Sequence, residues 1–167
     1  MLNKKQQPNK RRKGIGAYDE ALDFLTPKAR TVREMENHLD ECDYSEIEVI
    51  QTVEKLRATG LLDDEKYASN FIESRLNTKP VSRQKLREQL SGHFIPDEII
   101  DAALETVDSE TELANARSVA EKYFRHFSSL ELTERLRRVG LRLTSRGYSF
   151  GDIKTVLSEL TEELPDE

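Results

Sequence analysis

Three stretches of this chain, ending at Cys42-Asp43-Tyr44, His93-Phe94-Ile95 and Arg146-Gly147-Tyr148, align without a gap over about twenty residues, at periods of 51 and 53. Internal repetition constrains a fold strongly, because one local solution has to serve three times and neighbouring copies have to stack. Counted from Tyr44, Ile95 and Tyr148, apolar side chains coincide at five further registers. Before the turn these are Met35, Leu86 and Val139, then Leu39, Leu90 and Leu143. After it come Val49, Ile100 and Ile153, then Val53, Leu104 and Leu157, then Leu56, Val107 and Leu160. Steps of four before the turn, and of four and three after it, put each set on one stripe of two successive helices.

A third helical pattern precedes each pair: Tyr18, Ala21, Leu22 and Leu25; Tyr67, Phe71 and Leu76; then Leu113, Ala116, Ala120, Tyr123, Phe124 and Phe127. The aromatic residues in it read as core. Thr31 with Glu34 and Ser45 with Glu48 have the spacing of capping boxes, and Gly60 before Leu61 and Leu62 has the form of a helix stop. Asp63, Asp64 and Glu65 stand where a helix should begin and suit its dipole better than acid–base chemistry. Few Gly and Pro and many Leu, Glu, Lys and Arg favour helices over strands. The expected fold is therefore all-α, a tandem array of three three-helix repeats over residues 15–60, 61–108 and 109–163. Each unit of about fifty residues buries little surface alone, so stacking is expected to supply the remainder.

The net charge is −6, yet residues 1–13 hold Lys4, Lys5, Lys10, Arg11, Arg12 and Lys13 and no acid, which leaves −12 on the rest. Residues 1–14 are expected to form a basic flexible tail that attracts anions, and 164–167 a short C-terminal tail. A lone Cys42 has no disulfide partner in the chain, and no apolar run nears the roughly 18 residues a membrane span needs, so a cytoplasmic protein is expected. His38, His93 and His126 fall in no recognised ligand motif, and neither a glycine-rich phosphate loop nor a nucleophile motif occurs. No metal, cofactor or catalytic residue is expected.

The repeats share a core pattern but differ in outer face. Arg135, Arg138, Arg142 and Arg146 follow one another at i, i+3, i+7 and i+11, where the second unit has Ser82, Lys85, Gln89 and His93 and the first Thr31, Glu34, His38 and Cys42. Arg75, Lys79, Arg83 and Arg87 add charge around the same helix of the second unit. A solvated face is the plain reading of such a stripe. Its alternative is a phosphate-tracking surface, because guanidinium groups match phosphate oxygens in bidentate geometry. Carboxylates at Ser45-Glu46, Pro96-Asp97 and Asp152 disfavour insertion of the third helices into DNA.

Several segments occur in a telling order: Ala21-Leu22, Lys28-Ala29-Arg30-Thr31 with Glu34-Met35 and Leu39, and Gly60-Leu61-Leu62-Asp63-Asp64-Glu65-Lys66-Tyr67-Ala68. Phe71-Ile72-Glu73-Ser74-Arg75-Leu76, Leu86-Arg87-Glu88-Gln89-Leu90 and Arg146-Gly147-Tyr148-Ser149-Phe150 follow. Over residues 17–160 the chain thereby resembles the RecX family, bacterial regulators of the RecA recombinase. The resemblance implies an elongated, curved array lying in the groove of a RecA filament on single-stranded DNA. There it would modulate, usually inhibit, strand exchange, ATP hydrolysis and coprotease activity. The expected partners are the RecA filament and, through it or directly, single-stranded DNA, with the protein a monomer and no membrane involved. The expected filament- or DNA-facing residues are Arg75, Lys79, Arg83, Lys85, Arg87, Arg135, Arg138, Arg142 and Arg146. Where the family often has Gly-Pro, this chain reads Lys79-Pro80-Val81-Ser82, and its acidic balance places the main affinity with the protein filament.

Overall fold

The computed structural model describes residues 14–162, so the two expected tails, apart from Gly14, lie outside the described residues. Nine helices and no strand occur among the described residues. The first unit contains α1 (Ala17–Leu25), α2 (Val32–Glu41) and α3 (Glu46–Ala58). The second contains α4 (Asp64–Thr78), α5 (Arg83–Gly92) and α6 (Asp97–Leu104), and the third α7 (Ser109–His126), α8 (Leu132–Ser145) and α9 (Phe150–Glu162). No helix among the described residues is long and apolar enough to cross a membrane.

Local chemistry sets these boundaries. Thr31 and Ser45 both close full capping boxes with Glu34 and Glu48, and the side chains of Asp63, Ser82 and Asp108 cap α4, α5 and α7. Gly60, at φ +71°, ends α3, and Leu61 and Leu62 donate backward to the Leu56 carbonyl. The turn between second and third helices repeats as well: Asp43, Phe94 and Gly147 occupy one register and all have positive φ.

Each unit has its own core. Met35, Leu39, Val49, Val53 and Leu56 are buried together in the first, with Leu62 from beyond Gly60. Leu86, Leu90, Ile100, Leu104 and Val107 fill the second. In the third, Val139 and Leu143 are buried but α9 is turned: Val156 and Leu160 are buried, while Ile153 and Leu157 are half-buried. Tyr148 completes that core, yet its hydroxyl is buried with no hydrogen-bond partner among the described residues, and burial pushes its pKa to about 12. Tyr44, at the same register, donates to the Ile15 carbonyl at 3.0 Å. Tyr148→Phe is therefore expected to raise stability by about 1 kcal/mol, since it removes an unsatisfied buried hydroxyl, as checked by urea unfolding.

The joints between units are polar rather than apolar, a departure from the stacking the sequence suggests. Extensive helix packing is confined within each unit, and of the three buried apolar clusters only the first reaches past its unit, by Leu62 just beyond Gly60. What crosses is a repeated set of hydrogen bonds. Thr31 Oγ1 accepts from the Glu34 N–H and donates to the His93 carbonyl at 2.8 Å, while Glu34 Oε1 lies 2.9 Å from His93 Nδ1. One period later the Ser82 N–H donates to the Arg146 carbonyl at 3.0 Å. The next N–H also repeats: Val32 donates to Asp64 at 2.9 Å and Arg83 to Glu112 at 2.9 Å. The amino end of one second helix thus meets the carboxyl end of the next, so orphan donors and carbonyls satisfy each other and the helix dipoles align. Burial raises the Asp64 pKa, opposed by the Val32 hydrogen bond.

Thr31 is wholly buried and serves both cap and joint. Thr31→Val keeps its volume and is expected to cost about 2 kcal/mol in urea unfolding, with Thr31→Ser restoring most of it. In the third unit, α8 begins one turn earlier than α2 and α5. Arg135, at the Thr31 and Ser82 register, is consequently inside the helix.

Candidate binding surface

The Arg135–Arg146 stripe runs along the edge of the α7–α8 contact, with Arg135 and Arg146 partly buried and Arg138 and Arg142 exposed. Aromatic rings from α7 and its C-cap lie beneath it: Phe124 is buried in the core as its pattern indicates, while Tyr123 and Phe127 are half-buried against that core. The Arg135 guanidinium sits 3.3 Å from the Phe124 ring centroid, Arg138 5.8 Å from Phe127, and Arg142 and Arg146 5.4 and 5.7 Å from Tyr123. Such cation–π pairs contribute about 0.5–1 kcal/mol each at exposed sites. They hold the side chains extended across the helix pair.

Five of the nine expected basic residues come together. Arg75, Lys79, Lys85, Arg142 and Arg146 line one concavity of about 270 Å³ at the joint of the second and third units, with Tyr123 and Gln89 between them. Arg146 is fixed there, donating from Nη1 to the Pro80 carbonyl at 2.7 Å and from Nη2 to the Tyr123 hydroxyl at 3.3 Å. That hydrogen bond lowers the Tyr123 pKa against some desolvation, and the charges of Arg146, Arg142 and Lys122 add to it. Lys85 is shared with Glu88 at 2.7 Å, whereas Lys79 and Arg142 are exposed. Gln89 Oε1 is buried with no partner among the described residues. Neither Tyr123 nor Gln89 stands out in the sequence as a site residue, since one reads as core and the other as a neutral gap in a charged register.

The other four are placed differently. Arg83 belongs to the joint and also donates to the Val107 carbonyl at 3.2 Å. Arg87 pairs with Asp101 on α6. Arg135 donates through Nε to the Phe124 carbonyl at 2.6 Å. Arg138 shares Glu134 with Arg137, and those two hydrogen bonds hold the Glu134 carboxyl at about 2. Arg138 lines a second concavity with Phe127, Arg137, exposed Leu141 and Arg142. Arg142 borders both hollows, so the basic surface runs continuously from Lys79 to Arg138. It gathers several cations, with no acid among the residues lining either hollow, in a chain that is acidic overall.

A second cluster lies at the other end of the array. His38 and Cys42 are four residues apart on α2 and its cap, a spacing not singled out in the sequence, where no metal is expected. His38 Nε2 is 3.1 Å from Glu20 Oε1 of α1 and 3.9 Å from Cys42 Sγ.

Three family descriptions match in chain order: RecX, first three-helix domain, over residues 17–56; the second over 63–104; and the third over 110–157. A regulatory protein RecX from Clostridium acetobutylicum is 31% identical, with 88% of this chain and 70% of that one aligned. One from Levilactobacillus brevis is 25% identical over 90% of this chain, which spans 56% of that relative's length. The crystal structure of RecX from Lactobacillus salivarius superposes with a TM-score of 0.74 at 25% identity, covering 87% of this chain and 95% of that one.

Proposed function

The chain belongs to the RecX family, and from that premise we propose that it regulates the RecA recombinase, in the usual sense of inhibiting it. It lies as a monomer along the groove of the RecA filament on single-stranded DNA, in the bacterial cytoplasm, and modulates strand exchange, ATP hydrolysis and coprotease activity. The observation that carries this reading is the order of the three domain matches, which spans almost the whole described chain. Polar joints suit the role, because an array held at its joints by a few hydrogen bonds can follow a helical groove without opening an apolar core.

In this reading the concavity of Arg75, Lys79, Lys85, Arg142 and Arg146 faces DNA phosphate or acidic RecA surface, with Arg138 extending it. Arg83, Arg87 and Arg135 act inside the fold and hold that surface in place. The same concavity favours direct binding of single-stranded DNA as a second reading, since cations beside an exposed aromatic edge suit a phosphate chain and a stacked base. The test is ATP hydrolysis and strand exchange by RecA of the same species at several-fold excess of this protein over filament sites. Inhibition of both is expected, and no change in either contradicts the reading.

A further inference from the structure

We propose that the first unit binds a thiophilic divalent cation of the zinc class between Glu20, His38 and Cys42. The ligand atoms of these residues all lie within 4.8 Å of one another. In a tetrahedral zinc site with bonds of about 2.0–2.3 Å, donor atoms stand roughly 3.2–3.8 Å apart. The observed 3.1 Å from His38 Nε2 to Glu20 Oε1, and 3.9 Å to Cys42 Sγ, match that spacing to a few tenths of an ångström. The Glu20 and Cys42 donors lie within 4.8 Å of each other, and binding would draw them together around the ion.

The environment suits a metal better than a surface ion pair. Glu20 is 6% exposed and Cys42 1%. A single imidazole nitrogen faces both an oxygen and a sulfur, and one cation can take all three donors at once. The imidazole is also pre-set. Phe24 stacks on it with centroids 3.8 Å apart and planes 5° from parallel, and the Arg30 guanidinium lies 3.9 Å from the Phe24 ring centroid. Nor is the cluster a by-product of the repeat. The registers of His38 and Cys42 hold Gln89 and His93 in the second unit and Arg142 and Arg146 in the third, where the later residue is engaged in a joint with the unit before it. Three protein donors leave a fourth position for water or an outside ligand. The bound ion would clamp α1 to α2.

The full chain, reduced and stripped with a chelator, is titrated with Co²⁺ and then Zn²⁺. One cobalt per chain is expected, with a thiolate-to-cobalt charge-transfer band and the strong visible bands of tetrahedral coordination, all bleached by zinc. Zinc should raise the melting temperature, by an amount that grows with the logarithm of its free concentration over its Kd. Cys42→Ser and His38→Gln should each weaken binding at least about tenfold while circular dichroism stays helical. Absence of the charge-transfer band from the unsubstituted protein overturns the proposal whatever the variants do. Zinc binding of equal strength in Cys42→Ser also overturns it, and leaves Glu20 and His38 as a hydrogen-bonded pair.

Discussion

Gly147→Ala is expected to destabilise the protein by about 2–4 kcal/mol, the largest effect among the glycines, since only here would an added Cβ fall under 3.0 Å from a neighbour. The backbone there has φ +85°, and a left-handed conformation costs an L-residue about 1–2 kcal/mol. An added Cβ would also fall 2.6 Å from Ser82 Oγ and 3.2 Å from Lys85 Cβ. Ser82 is nearly fully buried and caps α5, so it cannot swing aside without giving up the Lys85 N–H. Overpacking of this kind typically costs a further 1–3 kcal/mol. Asp43 and Phe94 hold the same left-handed register with side chains, so conformation alone does not demand glycine there. The close approach of the third unit to the second does. Urea unfolding followed by far-ultraviolet circular dichroism measures the effect, and a loss under about 1 kcal/mol would show that the joint yields freely.

The largest functional effect is expected from Lys79→Glu combined with Arg142→Glu. Both side chains are exposed and both line the concavity at the second joint, while the internal bonds of Arg146, Arg135 and Arg83 are untouched. Lys79 is the C-cap of α4 and Arg142 lies over Tyr123 in the last turn of α8, so the pair should cost about 1–2 kcal/mol of stability while the circular dichroism stays helical. Affinity for the RecA filament should fall on the order of ten- to a hundredfold, more steeply at low salt, because like charge then faces phosphate or acidic protein. Unchanged filament affinity in fluorescence anisotropy would remove this surface from the interface.

The sequence makes the helical architecture legible because burial within a unit is periodic. Leu39, Leu90 and Leu143 recur at one register and are all fully buried, and Thr31 with Glu34 and Ser45 with Glu48 cap as their spacing indicates. The turned α9 is not legible, because Val156 and Ile153 are both apolar and only packing against α7 and α8 chooses between them. The joints are hidden for another reason. Thr31 meets His93 across 62 residues and Arg146 meets Pro80 across 66, and polar contacts leave no periodic mark. Charge patterning picks out Arg135, Arg142 and Arg146 alike and cannot show that the Arg135 guanidinium is occupied by Phe124. His38 and Cys42 already have the spacing of a ligand pair. Their third member, Glu20, is 18 residues upstream of His38 on another helix, and only the folded first unit brings it near.

Action on a RecA filament is separated from action on DNA alone by fluorescence anisotropy of the labelled full chain at physiological salt, titrated with RecA filament assembled on single-stranded DNA and, separately, with the same DNA naked. Binding to the filament at least about tenfold tighter than to naked DNA is predicted, since an acidic chain gains little from phosphate alone at that salt. Equal or tighter binding to naked DNA would contradict the account.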